Sequence, residues 1–214
     1  MTACEPVQLR QPLAEPNTGS ASPVATAAPA SAPGYAAQLQ PSRLGWVTLP
    51  LWCIWVEPNL DKSDAVSLRW ALAANAALQE WQKFVPIQLV ERAEDAQLRL
   101  WRRRPPLNGG RASNGRALLQ FQQVQRQGST LTRLEPLVDV LLSPGQRQLA
   151  IQATALHELG HGFGLWGHSP DPGDVMAALP TAEPRLQLSP RDRSTLLWLQ
   201  AQPSPFRAPP MPTP

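Results

Sequence analysis

All three histidines of this 214-residue chain fall in one short stretch, "HELGHGFGLWGH", from His157 to His168. No other feature restricts the fold as strongly. His157 and His161 are four apart, and that spacing brings two side chains to one point only if the backbone is helical. The preceding "GQRQLAIQATALHELGHGFG" carries a helical pattern. Gly164 stands where a helix ends in a left-handed residue. The chain can then turn back, and His168 arrives just after the turn.

The residue types have one natural chemistry. Zinc binds imidazole nitrogen at about 2 Å, and catalytic zinc sites commonly use three protein ligands and one water. His157, His161 and His168 are the candidate ligands. Glu158 sits beside the first of them, placed to touch the water rather than the metal. H-E-x-x-H therefore encodes two ligands and a general base.

The rest of the chain supplies a scaffold. "WVTLPLWCIWVE", from Trp46 to Glu57, reads as a buried strand. "SDAVSLRWALAANAALQEWQKF" is the strongest helix signal, capped by Ser63 or Asp64 and ended by Pro86. "PIQLVER" and "AQLRLW" are two short strands. "RALLQFQQVQ" alternates apolar and polar residues and reads as a half-exposed strand near a sheet edge. "LVDVLLSP" is a more buried strand. "SPRDRSTLLWLQ" is a short helix with Ser189 as cap, Pro190 in the first position and Asp192 at the capping-box position. The order β-α-β-β-β-β-α-loop-α predicts an α+β domain. Its sheet is a twisted, mixed one of five strands, with two long helices and a short C-terminal helix.

Composition sets the boundaries. The chain has 25 prolines, crowded at both ends. Residues 1–43 are rich in Ala, Ser, Pro and Thr, and such a segment buries too little apolar surface to offset its chain entropy. The expectation is a disordered arm over 1–43, a folded domain over 44–202 and a disordered tail over 203–214. Net charge is +3 with pI 9.4. The arginines of "RLWRRRP" carry no nucleic-acid motif and read as a solvated loop. Two cysteines make no disulfide framework, so Cys53 reads as a small buried hydrophobe and Cys4 as a residue of the arm. No apolar run is long enough to span a membrane, and no signal-peptide pattern opens the sequence as given.

The histidine stretch resembles the metzincin metallopeptidases, whose motif is H-E-x-x-H-x-x-G-x-x-H followed by a Met-turn. Here the third histidine comes one residue late, after Gly167. The register then agrees with the matrixin branch, with Ser169 after the histidine and Met176 eight residues on. The resemblance implies the zincin-like form of the α+β fold and a metalloendopeptidase. One catalytic zinc would be held by His157, His161 and His168, with Glu158 as general base and Met176 as the floor of the site. It implies a peptide substrate added as a strand to "RALLQFQQVQ", a monomer, and a secreted or periplasmic location. "RRRPPLNGGRASNG" has no His and no acid, so no structural zinc or calcium is expected there. "MAALP" lacks the matrixin Tyr and Pro, so side-chain preference does not carry over. The prodomain cysteine motif of matrixins does not occur around Cys4, although the arm is long enough for a Cys4 thiolate to reach the zinc.

Two other readings compete. One is a zinc-bearing peptide-binding protein without significant turnover. The other is a zincin in which Glu183 supplies the third ligand, disfavoured by Pro184 beside it.

Overall fold

The computed structural model describes residues 4–13, 27–61, 63–107, 109, 112–179, 181–207 and 211–212. Within them lie strands β1 (Val7–Pro12), β2 (Trp52–Val56), β3 (Ile87–Leu89), β4 (Leu98–Trp101), β5 (Gly115–Arg126), β6 (Leu131–Leu142) and β7 (Met211–Pro212). The helices are α1 (Ala65–Gln82), α2 (Gln148–Gly162) and α3 (Pro190–Gln200). Six strands form one mixed sheet in the order β1-β5-β6-β4-β2-β3, and β7 adds to β6. Strands β3, β2, β4 and β6 run parallel. Strand β5 lies antiparallel to β6.

Helices α1 and α3 begin where the sequence places a cap, whereas α2 starts after Arg147 without a side-chain cap. The Asp64 carboxylate accepts from the Val66 and Ser67 backbone N–H groups at 3.0 and 3.2 Å. Of the two possible caps, Asp64 is the one used. Ser189 and Asp192 form the expected capping box, with Pro190 in the first turn. Helix α1 buries Trp70, Ala73, Ala77 and Trp81. Its two tryptophans also donate hydrogen bonds, Trp70 to Leu142 O at 3.2 Å and Trp81 to Leu156 O at 3.0 Å. Buried indoles need such partners. Here they lock α1 to β6 and to α2.

Three expectations are corrected. The first strand is shorter than "WVTLPLWCIWVE", because only Trp52–Val56 joins the sheet ladder. The sheet has seven strands rather than five. The extra two come from segments expected to be disordered. Strand β1 pairs antiparallel with the second half of β5, Pro12 opposite Gln122 and Val7 opposite Arg126. Strand β7 pairs with the start of β6.

Further along the arm, Tyr35, Ala36 and Leu39 are at most 2% exposed and belong to the core. In the tail, Phe206 is buried and stacks on Phe121 with centroids 5.4 Å apart. Composition averages over a window, whereas a few large side chains suffice to anchor one. The remaining arm residues, 1–3 and 14–26, and tail residues 208–210 and 213–214, lie outside the described set.

The cysteines are also corrected. Cys4 and Cys53 form a disulfide with their Cα atoms 5.5 Å apart. Cys53 is fully buried, as expected, but in a bond that ties β2 to the residues before β1. Nearby, the Arg126 guanidinium donates to Glu5 O at 2.6 Å and to the buried Glu135 carboxylate at 2.8 Å. The Val7 N–H donates to the Asp95 carboxylate at 2.7 Å. These contacts hold β1 in place. Among the described residues, no helix is long and apolar enough to cross a membrane.

Candidate metal centre

Helix α2 carries His157, Glu158 and His161, and its C-terminal turn is made by glycine. Gly164 has φ +104, a value that other residues rarely adopt, and a Cβ there would lie 2.1 Å from Val47 O. The chain reverses at that point and delivers His168. Ring centroids of the three histidines are 4.8 Å (His157–His161), 5.3 Å (His157–His168) and 5.0 Å (His161–His168) apart. One ligating atom from each lies within 4.8 Å of the others. The set is thus positioned to hold one metal ion.

The orientation of two rings is fixed from behind. His157 Nδ1 lies 2.9 Å from Val175 O, and His161 Nδ1 lies 2.8 Å from Leu165 O. A carbonyl can only accept, so each Nδ1 carries the proton and each Nε2 keeps its lone pair for a metal. Such outer hydrogen bonds are the usual companions of metal-ligating histidines. Burial lowers the pKa of all three imidazoles, that of His161 to about 3. They are neutral at physiological pH, the form that binds metal.

The inserted residue is accommodated, but not by an unusual backbone angle at Gly167. Gly167 does not have a positive φ. The requirement is spatial: a Cβ at Gly167 would lie 2.3 Å from Gln38 O. The loop passes against the chain before β2, and the Gln40 N–H donates to Trp166 O at 2.8 Å. Trp166 stacks on His161 at 5.5 Å and lines the cleft.

Met176 lies beneath α2, fully buried, with its sulfur where a Cβ of Gly160 would stand, 2.2 Å away. Its loop is closed by Ser169 N–H donating to Met176 O at 2.8 Å. The loop is pinned by a residue that the sequence marks only as a helix cap. The fully buried Asp192 carboxylate accepts from Val175 N–H at 2.9 Å, from Met176 N–H at 3.4 Å and from the Tyr35 hydroxyl at 2.8 Å. The capping box was the available signal, but not the second task of the same carboxylate.

Glu158 faces the cleft beneath β5. A Cβ at Gly115 would lie 2.6 Å from its Cγ. Burial pushes its carboxyl up to about 7, opposed by a hydrogen bond from the Ala117 backbone and by the charge of Arg116. The cleft itself is lined by Gln40, Ser42, Ala117, Leu119 and Trp166 together with the histidines. Glu183 is not in the metal-ligating group.

The arginine cluster, which begins in β4 rather than in a loop, has internal partners. Arg99 pairs with Asp139 at 2.7 Å, and Arg103 lies over the Trp101 ring at 4.1 Å. No protein-family model matches this chain, and no curated protein matches its sequence.

Proposed function

We propose that the protein is a zinc endopeptidase of the metzincin kind, matrixin-like in its site. The observation that carries this reading is the joint placement of three neutral histidines, two of them oriented by backbone carbonyls, and a buried carboxylate beside an open strand edge. The element order from β2 to α3, which agrees with that of the matrixin catalytic domain, also supports it, as does the buried methionine under the ligand helix.

His157, His161 and His168 would hold the ion. When bound there, zinc would lower the pKa of its water and polarise the scissile carbonyl. Glu158 takes the water's proton and passes it to the leaving amine. The backbone of β5 between Gly115 and Gln120 receives the peptide as an added strand. The Cys4–Cys53 disulfide fits an oxidising compartment, in keeping with secretion or a periplasmic location.

The test is metal content combined with cleavage of a broad peptide library. The expected result is about one zinc per chain and hydrolysis that disappears in Glu158→Ala with zinc retained. Stoichiometric zinc with no hydrolysis of any library member would overturn the peptidase and favour a peptide-binding protein.

A further inference from the structure

Strand β5 has two outer halves. The second half, Gln122 to Arg126, is paired with β1. The Leu13 N–H extends that pairing by donating to Phe121 O at 2.9 Å. The first half, Gly115 to Gln120, has no strand partner on that side among the described residues. In a strand, alternate residues turn their backbone groups to the same side. Leu119 and Ala117 therefore face outward as Phe121 does. Gly115, Ala117 and Leu119 line the same cleft as Glu158, which places the end of this open edge at the cleft.

We infer that β1 is a fixed upstream boundary of the substrate groove, which limits recognition to about four residues on the N-terminal side of the cleaved bond. This rests on the peptidase reading above. Antiparallel pairing is the more stable arrangement for an added strand, and β1 and β6 already flank β5 that way. A peptide so added runs in the direction of β1, with its upstream end pointing at Leu13. Counting one substrate residue opposite each β5 residue from Ala117 to Gln120 leaves about four places before the next residue meets Leu13. The boundary is rigid rather than a passing contact. It is tied at its start by the Cys4–Cys53 bond, by Arg126 to Glu5 O and by Val7 N–H to Asp95.

The experiment is a ladder of peptides sharing one cleavage sequence and carrying from two to eight upstream residues, cleaved by the full-length, zinc-loaded protein. The expected kcat/KM rises at least tenfold from two to four upstream residues. It then changes less than twofold from four to eight. The full-length Leu13→Pro variant lacks the N–H that closes the boundary at Phe121, and its gain should extend to a fifth or sixth residue. A wild-type ladder that keeps rising severalfold beyond six residues overturns the boundary, whatever the variant does. A wild type that binds zinc but cleaves no member of the ladder or of a broad library overturns the peptidase reading, and the boundary with it.

Discussion

Asp192, at the start of α3, holds the backbone of Val175 at 2.9 Å, and the carbonyl of that same Val175 lies 2.9 Å from His157 Nδ1. A helix-capping carboxylate thus reaches an imidazole of the candidate metal site through a single residue. The same carboxylate accepts from Tyr35, so a residue of the N-terminal arm contributes to the orientation of the first ligand. Replacing Asp192 by Asn puts an amide N–H₂ where only acceptors fit. Zinc affinity should fall about tenfold, the lower end for outer partners of metal ligands. Competition with a chromophoric chelator checks this, and unchanged affinity in a folded variant would remove Asp192 from the account.

Glu158 links activity to pH-dependent stability. Its carboxyl is raised to about 7 from 4.5 by burial. A raised pKa favours the fold below the unfolded value, and this advantage is lost as pH climbs through the folded one. Chelator-treated Glu158→Gln protein should therefore be more stable than chelator-treated wild type at pH 8. The difference amounts to up to about 3 kcal/mol and shrinks toward zero near pH 4, below the unfolded value. Thermal melts at the two pH values read it out. In the same variant, peptide hydrolysis should drop by at least about a hundredfold.

The loop carrying His168 depends on close backbone approach. With Gln38 O standing 2.3 Å from a would-be Cβ, Gly167→Ala must push the two segments apart. The expected cost is about 2 kcal/mol of stability, typical of an overpacked contact. Zinc affinity should weaken as His168 shifts. Denaturant titration and zinc competition measure the two effects separately. A variant that keeps both unchanged would show that the bulge tolerates a side chain.

The disulfide closes a loop spanning 49 residues of sequence. Removing it in Cys4→Ser, Cys53→Ser should destabilise the protein by about 3 to 4 kcal/mol. The wild type should lose a similar amount in reductant, and the double variant should not respond to it. Unfolding midpoints with and without reductant provide the comparison.

The histidine cluster was legible because its information is local. Four residues of helix bring His157 and His161 together, and one glycine-ended turn brings His168 to them. The capping box of α3 and the Asp64 cap of α1 were legible for the same reason, since each is closed by residues two or three positions apart. Strands β2 to β5 and the apolar second half of β6 announced themselves by alternation and apolar content, whereas the first half of β6, from Leu131 to Pro136, did not.

What the arm and tail do was decided elsewhere. Their Pro, Ala and Ser content argues against order, yet Tyr35, Leu39 and Phe206 find a core built by residues far away in the chain. Strand β1 has no apolar stripe to announce it; it forms because β5 offers an open edge and Cys53 offers a bond. Neither cysteine signals its partner when 49 residues separate them. Similarly, Asp192 reads as a cap in sequence and becomes the pin of the Met176 loop only when α3 docks. Local hydrogen bonds and helix periodicity determined the ligands themselves. Long-range pairing, which no spacing rule encodes, decided how those histidines are braced and where the open edge of β5 ends.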